Sequence, residues 1–286
     1  MKKSFFAKAG AHLVLLAGSV IMVYPLVFIV MISFFTPEEF NRTVIQLLPV
    51  AKEPTLDNFK LLFFVTADKY TITYYLNSIF RTFYQTTFSV LTSLLGGYVF
   101  ARLRFKGKEI LFLVLLATQM IPGIISVMPM YLQLRTMGVY DTWGVYLLLG
   151  GGVMNVMGTF LVRQTLEEMP VSLEEAARVD GANTPTLIFR IVMPMVKTIL
   201  IYVAITGAIG VWNDWSTPFY YTDSRALQTI PSALSKLTAF AGREGEIMNY
   251  PAIMSFSLLV TVPSVIIFFI FQKHIVQGLM SAGIKG

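Results

Sequence analysis

The stretch SLEEAARVDGANTPTLIFRIVMP, residues 172–194, interrupts an otherwise apolar chain with charge and a helical pattern, and where it lies decides how the rest is arranged. Glu174, Glu175, Arg178 and Asp180 stand between two hydrophobic segments. Charges at that density are excluded from lipid, so the stretch belongs on a membrane surface.

Read locally, Pro170 stops what precedes the stretch, and Ser172 followed three residues later by Glu175 predicts a capping box at the start of a short helix. Glu174 and Arg178 are spaced i, i+4 and are expected to pair across an exposed face. Leu173, Ala176, Ala177 and Asp180 are expected on the other side, where small alanines let another backbone come close. Gly181 stands where a helix end needs a left-handed residue. Asn183 or Thr184 can cap a second helix with Pro185 in its first turn, and Leu187, Ile188, Ile191 and Val192 give it an apolar face before Pro194 ends it. The stretch is therefore expected to be two short helices around a glycine elbow.

The surrounding composition is that of a polytopic membrane protein: 55% hydrophobic, 13% charged, mean hydropathy +0.67 over 286 residues. Spanning takes about 20 predominantly apolar residues. Six segments qualify, at about 11–35, 82–101, 110–132, 143–162, 198–217 and 252–271. Pro25, Pro122, Pro129 and Pro263 lie within them, which is tolerated where neighbouring helices satisfy the freed carbonyls, so an all-α bundle is predicted. The whole of 1–286 is expected to form a single transmembrane domain, with its core at about 75–272.

Basic residues set the orientation. The N-terminal tail carries Lys2, Lys3 and Lys8, the second loop Arg102, Arg104, Lys106 and Lys108, the fourth Arg163, Arg178, Arg190 and Lys197, and the C-terminal tail Lys273 and Lys285. The alternate loops are sparser, with Arg135 alone in the third. Both termini and residues 172–194 are therefore expected in the cytoplasm. In the first external loop, Leu56, Phe59, Leu62 and Phe63 suggest an interfacial helix, with Asn77 or Ser78 capping the next span. In the fifth, Pro231 is placed to open a helix with Leu234 and Leu237 on one face. The net charge of +6 comes from basic residues beside apolar spans, which fits lipid headgroups and not nucleic acid.

A search for chemistry finds little. There is no cysteine, and His12 and His274 lie far apart, so disulfides, thiolate sites and a histidine-rich metal centre are excluded. No GxxxxGK[ST], GxSxG or HExxH occurs, so no nucleotide or metal cofactor is expected in this chain. Apart from Arg81 and Asp214 near the outer ends, the spans hold no Asp, Glu, Lys or Arg, which argues against the alternative of an ion-driven carrier or channel. Tyr98, Thr118, Gln119, Ser126, Asn155 and Thr206 are neutral polar residues in spans, most simply bonded between helices. Gln119 and Asn155, with Tyr131, Trp212 and Asn213, are the candidates for a polar substrate path.

Glu175-Ala176-Ala177, three residues, Gly181, nine residues and then Ile191-x-Met193-Pro194 resemble the EAA loop of the binding-protein-dependent ABC importer permeases, with Met193 in place of the family's leucine. The longer string EEAARVDGA, Arg163-Gln164, Met169-Pro170, Trp212-Asn213-Asp214, the run from Gly97 to Arg102 and the closing Gly278-x4-Gly283-x-Lys285-Gly286 are similar to the maltose-type carbohydrate branch. The resemblance implies a MetI-like, type I permease of six transmembrane helices in a bacterial inner membrane. It implies a homologous second permease, two cytoplasmic ATPase subunits that bind ATP and Mg, and an extracytoplasmic solute-binding protein facing the fifth loop. Glu174, Glu175, Ala176, Ala177, Asp180, Gly181, Ala182 and Pro194 are the ATPase-coupling residues it implies. A membrane scaffold without transport would leave the EAA spacing accidental.

Overall fold

Lipid offers no partner to a free backbone amide, so apolar runs in it fold as helices. The structure, a computed structural model, describes residues 2–42, 47–60, 70–151, 154–240 and 249–283, with side chains over 10–42, 47–60, 70–150, 154–238 and 249–273. In order come α1 (Lys2–Ser33), α2 (Pro37–Arg42), α3 (Asp57–Lys60), α4 (Thr71–Arg102), α5 (Lys108–Thr118), a 3-10 turn (Gly123–Ser126), α6 (Val127–Thr136), α7 (Gly144–Gly151), α8 (Val156–Glu168) and α9 (Ser172–Val179). Then follow α10 (Thr184–Thr186), a π turn (Leu187–Val192), α11 (Met193–Met195), α12 (Lys197–Asn213), α13 (Ser216–Tyr221), a 3-10 turn (Arg225–Leu227), α14 (Ile230–Phe240) and α15 (Tyr250–Gly283). No strand occurs among the described residues.

The described residues of the six apolar segments are mostly helical, but they do not form six straight rods. Among the described residues two helices are long and apolar enough to cross a membrane, Gly10–Ser33 and Tyr250–Lys273. Two bent pairs bring the number to four if each is one span: Lys108–Thr118 with Gly123–Thr136 at 89°, and Thr184–Met195 with Lys197–Asn213 at 82°. The first bend falls at Pro122, whose extended backbone (φ −60°, ψ 122°) breaks the helix where a kink was expected. The segment 143–162 divides between α7 and α8, whereas Pro25 and Pro263 sit inside continuous helices.

Contacts group the chain into two units, Met1–Ile72 with Leu234–Val262, and Thr73–Ala233 with Pro263–Gly286. In the first, the buried Asn58 donates from Nδ2 to the carbonyls of Ser33 at 2.9 Å and Phe35 at 2.7 Å, satisfying the open end of α1. Phe59 lies in α3, a single turn, and Leu62 and Phe63 lie outside the described residues.

Apolar cores are seen in the second unit among the described residues. One joins Leu94 and Tyr98 of α4, Val162 and Leu166 of α8, Ala177, Leu187, Ile188 and Val192 of the charged stretch, and Ile199, Leu200 and Val203 of α12. Another gathers Leu134, Val145, Tyr146 and Tyr221. Helices α4 and α8 approach so closely that a Cβ on Gly97 would stand 2.4 Å from Cγ1 of Val162. Only glycine permits that contact.

Asn77 and Ser78 do not cap α4, which begins at Thr71. They are buried inside it, where Asn77 Nδ2 donates to the carbonyls of Ala226 (2.8 Å) and Gln228 (2.9 Å), and Ser78 Oγ accepts from the amide of Ile230 (2.9 Å). The fifth-loop helix forms as expected, with Pro231 in the first turn of α14.

Candidate functional site

The charged stretch folds as two short helices about an elbow, with its faces assigned differently from the sequence expectation. The amides of Glu174 and Glu175 both donate to the carbonyl of Val171, which is itself helical (φ −70°, ψ −21°) and precedes the first helical residue. Ser172 is thus inside the helix, and no side chain caps the end, so the capping box does not form.

Glu174 and Ala177, spaced i, i+3, face inward, and Glu174 is only 3% exposed. Its Oε1 accepts from Arg102 Nε at 2.6 Å, and Arg102 Nη2 also donates to the carbonyl of Met169 at 3.1 Å. The expected Glu174–Arg178 pair is absent, and Arg178 donates instead to the hydroxyl of Tyr98 at 3.3 Å. A surface i, i+4 pair stabilises by only a few tenths of a kcal/mol, about 0.2–0.5. Arg102, with its side chain 10% exposed, needs a counter-charge far more.

The outward face of α9 carries Leu173, Glu175, Ala176 and Val179, with Asp180 just beyond it, and Val179 is 88% exposed. Ala176, expected on the packed side with Ala177, is exposed.

Gly181 takes φ +85°, as the elbow required. The amide of Ala182 donates to the carbonyl of Ala177 at 2.9 Å and that of Gly181 to Arg178 at 3.1 Å, which is a Schellman motif. Asn183 Oδ1 then accepts from the amide of Thr186 at 3.0 Å, opening the second helix. Leu187, Ile188 and Val192 are buried. Pro194 does not end this helix. Without an N–H to return to Arg190 it coincides with the widened π turn, and the chain continues to Met195 before bending at Val196.

Beside this segment, Arg163 of α8 holds Glu109 through two bonds (3.0 and 2.8 Å) and Glu167 at 2.8 Å, and lies 4.2 Å over the ring of Phe112. Burial works against its charge, but the two carboxylates outweigh it and hold its pKa above the ordinary value.

The proposed path residues are dispersed in their roles. Gln119 is exposed at the end of α5. Tyr131 packs against Tyr140 (5.1 Å) and carries Arg135 over its ring (5.1 Å). Asn155 caps α8 by accepting from Gly158 and donates to Ser89 Oγ at 2.6 Å. Asn213 donates to Ile209 and accepts from Ser264. Of the five, Trp212 alone lines the apolar cavity of about 620 Å³ that also has Thr86, Met193, Ala208 and Pro263 in its wall. Sequence reasoning placed Arg81 and Asp214 near the outer ends of spans but missed that they are partners. Arg81 is buried and ion-paired to Asp214, lies over Tyr146, and donates to the Asp214 carbonyl at 3.1 Å. No group of three or more His, Cys, Asp and Glu that could hold a metal occurs among the described residues.

Residues 89–281, which contain the whole charged stretch, match the family model described as "Binding-protein-dependent transport system inner membrane component". The arabinooligosaccharides transport system permease protein AraQ of Halalkalibacterium halodurans is 30% identical over 266 residues, spanning 93% of this chain and 92% of that protein. The galactooligosaccharides transport system permease protein GanQ of Bacillus subtilis is 28% identical, over 96% of this chain and 95% of that protein. Among solved structures, a chain of a bacterial ABC transporter involved in the import of the acidic polysaccharide alginate superposes with a TM-score of 0.79 over 96% of this chain and 97% of that one, at 20% identity.

Proposed function

The chain belongs to the family of binding-protein-dependent transport system inner membrane components, a multi-pass membrane protein of transport and not an enzyme, and from that premise we propose that it is one of two permease subunits of an ATP-driven importer for oligosaccharides. The substrate class rests on the relatives: AraQ and GanQ are oligosaccharide permeases by name. Residues 1–286 act as one permease domain of six crossings, the bent pair 108–136 and the divided α7–α8 segment counting as single spans and α12 crossing without the cytoplasmic segment before it, with both termini in the cytoplasm. A second, homologous permease completes the path, and a solute-binding protein delivers the sugar.

Energy enters at residues 172–194. The observation that carries this is the face of α9: Glu175, Ala176 and Val179 stand outward without covering, while Glu174 and Ala177 fasten the helix to α4 and the core. A short stiff helix held from behind and bare in front suits docking into a cytoplasmic ATPase subunit, and Asp180, Gly181 and Ala182 fix the angle at which it is presented. ATP-driven closure would move α9 and so switch the bundle between inward- and outward-facing states.

The test is purification of the tagged chain from its own membranes. An ATPase subunit is expected to co-purify, and Glu175→Lys or Gly181→Pro to abolish both that association and sugar uptake. Retention of both in either variant would sink the coupling role.

A further inference from the structure

Helix α4 is fastened at both of its ends, to elements far apart in space. At its last residue Arg102 binds Glu174 and the Met169 carbonyl, and one turn earlier Tyr98 accepts from Arg178, so α9 is tied to α4 through two of its side chains. Toward its beginning Asn77 binds the carbonyls of Ala226 and Gln228, and Ser78 the amide of Ile230. Ser78 to Arg102 is one unbroken stretch of helix, and the 24 steps between them span about 36 Å at ~1.5 Å per residue. That is more than the ~30 Å of a hydrocarbon core.

The fastenings are buried: Asn77 and Ser78 are covered, as is Glu174. Buried polar groups lose far more when a partner leaves than exposed ones do, so Asn77, Ser78 and Glu174 hold the ends of α4 more firmly than surface pairs would. Coupling between distant sites needs a physical element that both sites bias. A continuous helix gripped at both ends supplies one.

We propose that α4 is a connecting rod between the docking helix α9 and the segment 226–230 on the opposite face, with Arg102 and Asn77 as the positioning residues that clamp it. The proposal rests on the importer reading. Movement of α9 is carried to segment 226–230 without loss. By reciprocity, a load on that segment is felt at the ATPase.

The chain has no cysteine, so spin labels can be placed at Ser172→Cys, at the start of α9 and off its docking face, and at Ala226→Cys, both exposed, in the full complex purified with its ATPase and held in lipid nanodiscs. Pulsed electron spin resonance then reads the label-to-label distance without nucleotide and with ATP plus orthovanadate. With the clamps intact a single, unchanged distance is expected in both states. Arg102→Ala, and independently Asn77→Ala, should add a second distance in the trapped state only. A merely structural residue would lower thermal stability without that state dependence. If Arg102→Ala does not assemble, Glu174→Gln removes the ion pair while keeping its shape. The exchange Arg102→Glu with Glu174→Arg should restore the single distance. A distance that shifts between states with the clamps intact, or stays single when they are cut, overturns the rod. Failure of any ATPase to accompany the unsubstituted chain would overturn the importer reading itself, and the rod with it.

Discussion

Glu174 and Glu175 are adjacent in sequence and face opposite ways, Glu174 buried against Arg102 and Glu175 exposed on the bare side of α9. Their replacement should therefore separate stability from partner binding. Glu174→Ala leaves the Arg102 charge buried and unpaired, at a cost of about 3 kcal/mol. Glu175→Ala should change stability by under ~0.5 kcal/mol, as surface substitutions do, and yet reduce recovery of the ATPase. Thermal unfolding in detergent alongside co-purification measures both, and equal loss of stability in the two variants would contradict the assignment of faces.

Gly181 gives a second, cleaner separation. It sits at φ +85°, and a Cβ there would meet nothing within 4 Å. The only cost of a side chain is then the left-handed backbone, about 1–2 kcal/mol for alanine. Asn, which visits that region with local hydrogen bonding, should be milder. The expected order of melting temperature is Gly, then Asn, then Ala. A drop for Asn equal to that for Ala would point to packing instead of backbone conformation.

Gly97 tests the opposite situation, space without backbone strain. A Cβ would fall 2.4 Å from Val162 Cγ1 and 3.1 Å from the backbone nitrogen of Arg163, so α4 and α8 would have to part. Overpacking of this kind costs about 1–3 kcal/mol. Gly207→Ala is the control, since its Cβ would lie 3.7 Å from Ser89 Oγ, an ordinary contact. Gly97→Ala should lower the unfolding midpoint while Gly207→Ala leaves it unchanged.

These cases show what was legible beforehand. The elbow at Gly181, the Asn183 cap and the apolar face of Leu187, Ile188 and Val192 follow from local rules, because each depends on neighbours within a turn or two. The inward turn of Glu174 does not, since its partner Arg102 is 72 residues away and a surface pair with Arg178 satisfies every local rule equally well. The same holds for Arg81 and Asp214, 133 residues apart. Helix breaks were read as kinks because hydropathy runs straight through Pro122. Local composition cannot report an 89° change of direction. The aromatic and amide residues picked for a substrate path were chosen by type alone, and Tyr131 and Asn155 turn out to be engaged by their own neighbours, Tyr140 and Ser89.

Topology supplies the last prediction. Between Val179 and Ala226 the chain has one apolar helix, α12, whose 17 residues give about 26 Å at ~1.5 Å per residue. That is slightly under a ~30 Å hydrocarbon core, a shortfall of a few ångström that local thinning of the bilayer accommodates. With α12 as the one crossing proposed between them, the two positions are expected on opposite sides of the membrane, and the cluster of Arg163, Arg178, Arg190 and Lys197 is expected to keep Val179 in the cytoplasm. In a chain with no native cysteine, Val179→Cys should react with an impermeant maleimide only after the membrane is opened, and Ala226→Cys in intact spheroplasts. Labelling of both positions from the same side would remove α12 as a crossing and with it the six-span arrangement. Reversal of the two would put the docking helix out of reach of any cytoplasmic ATPase.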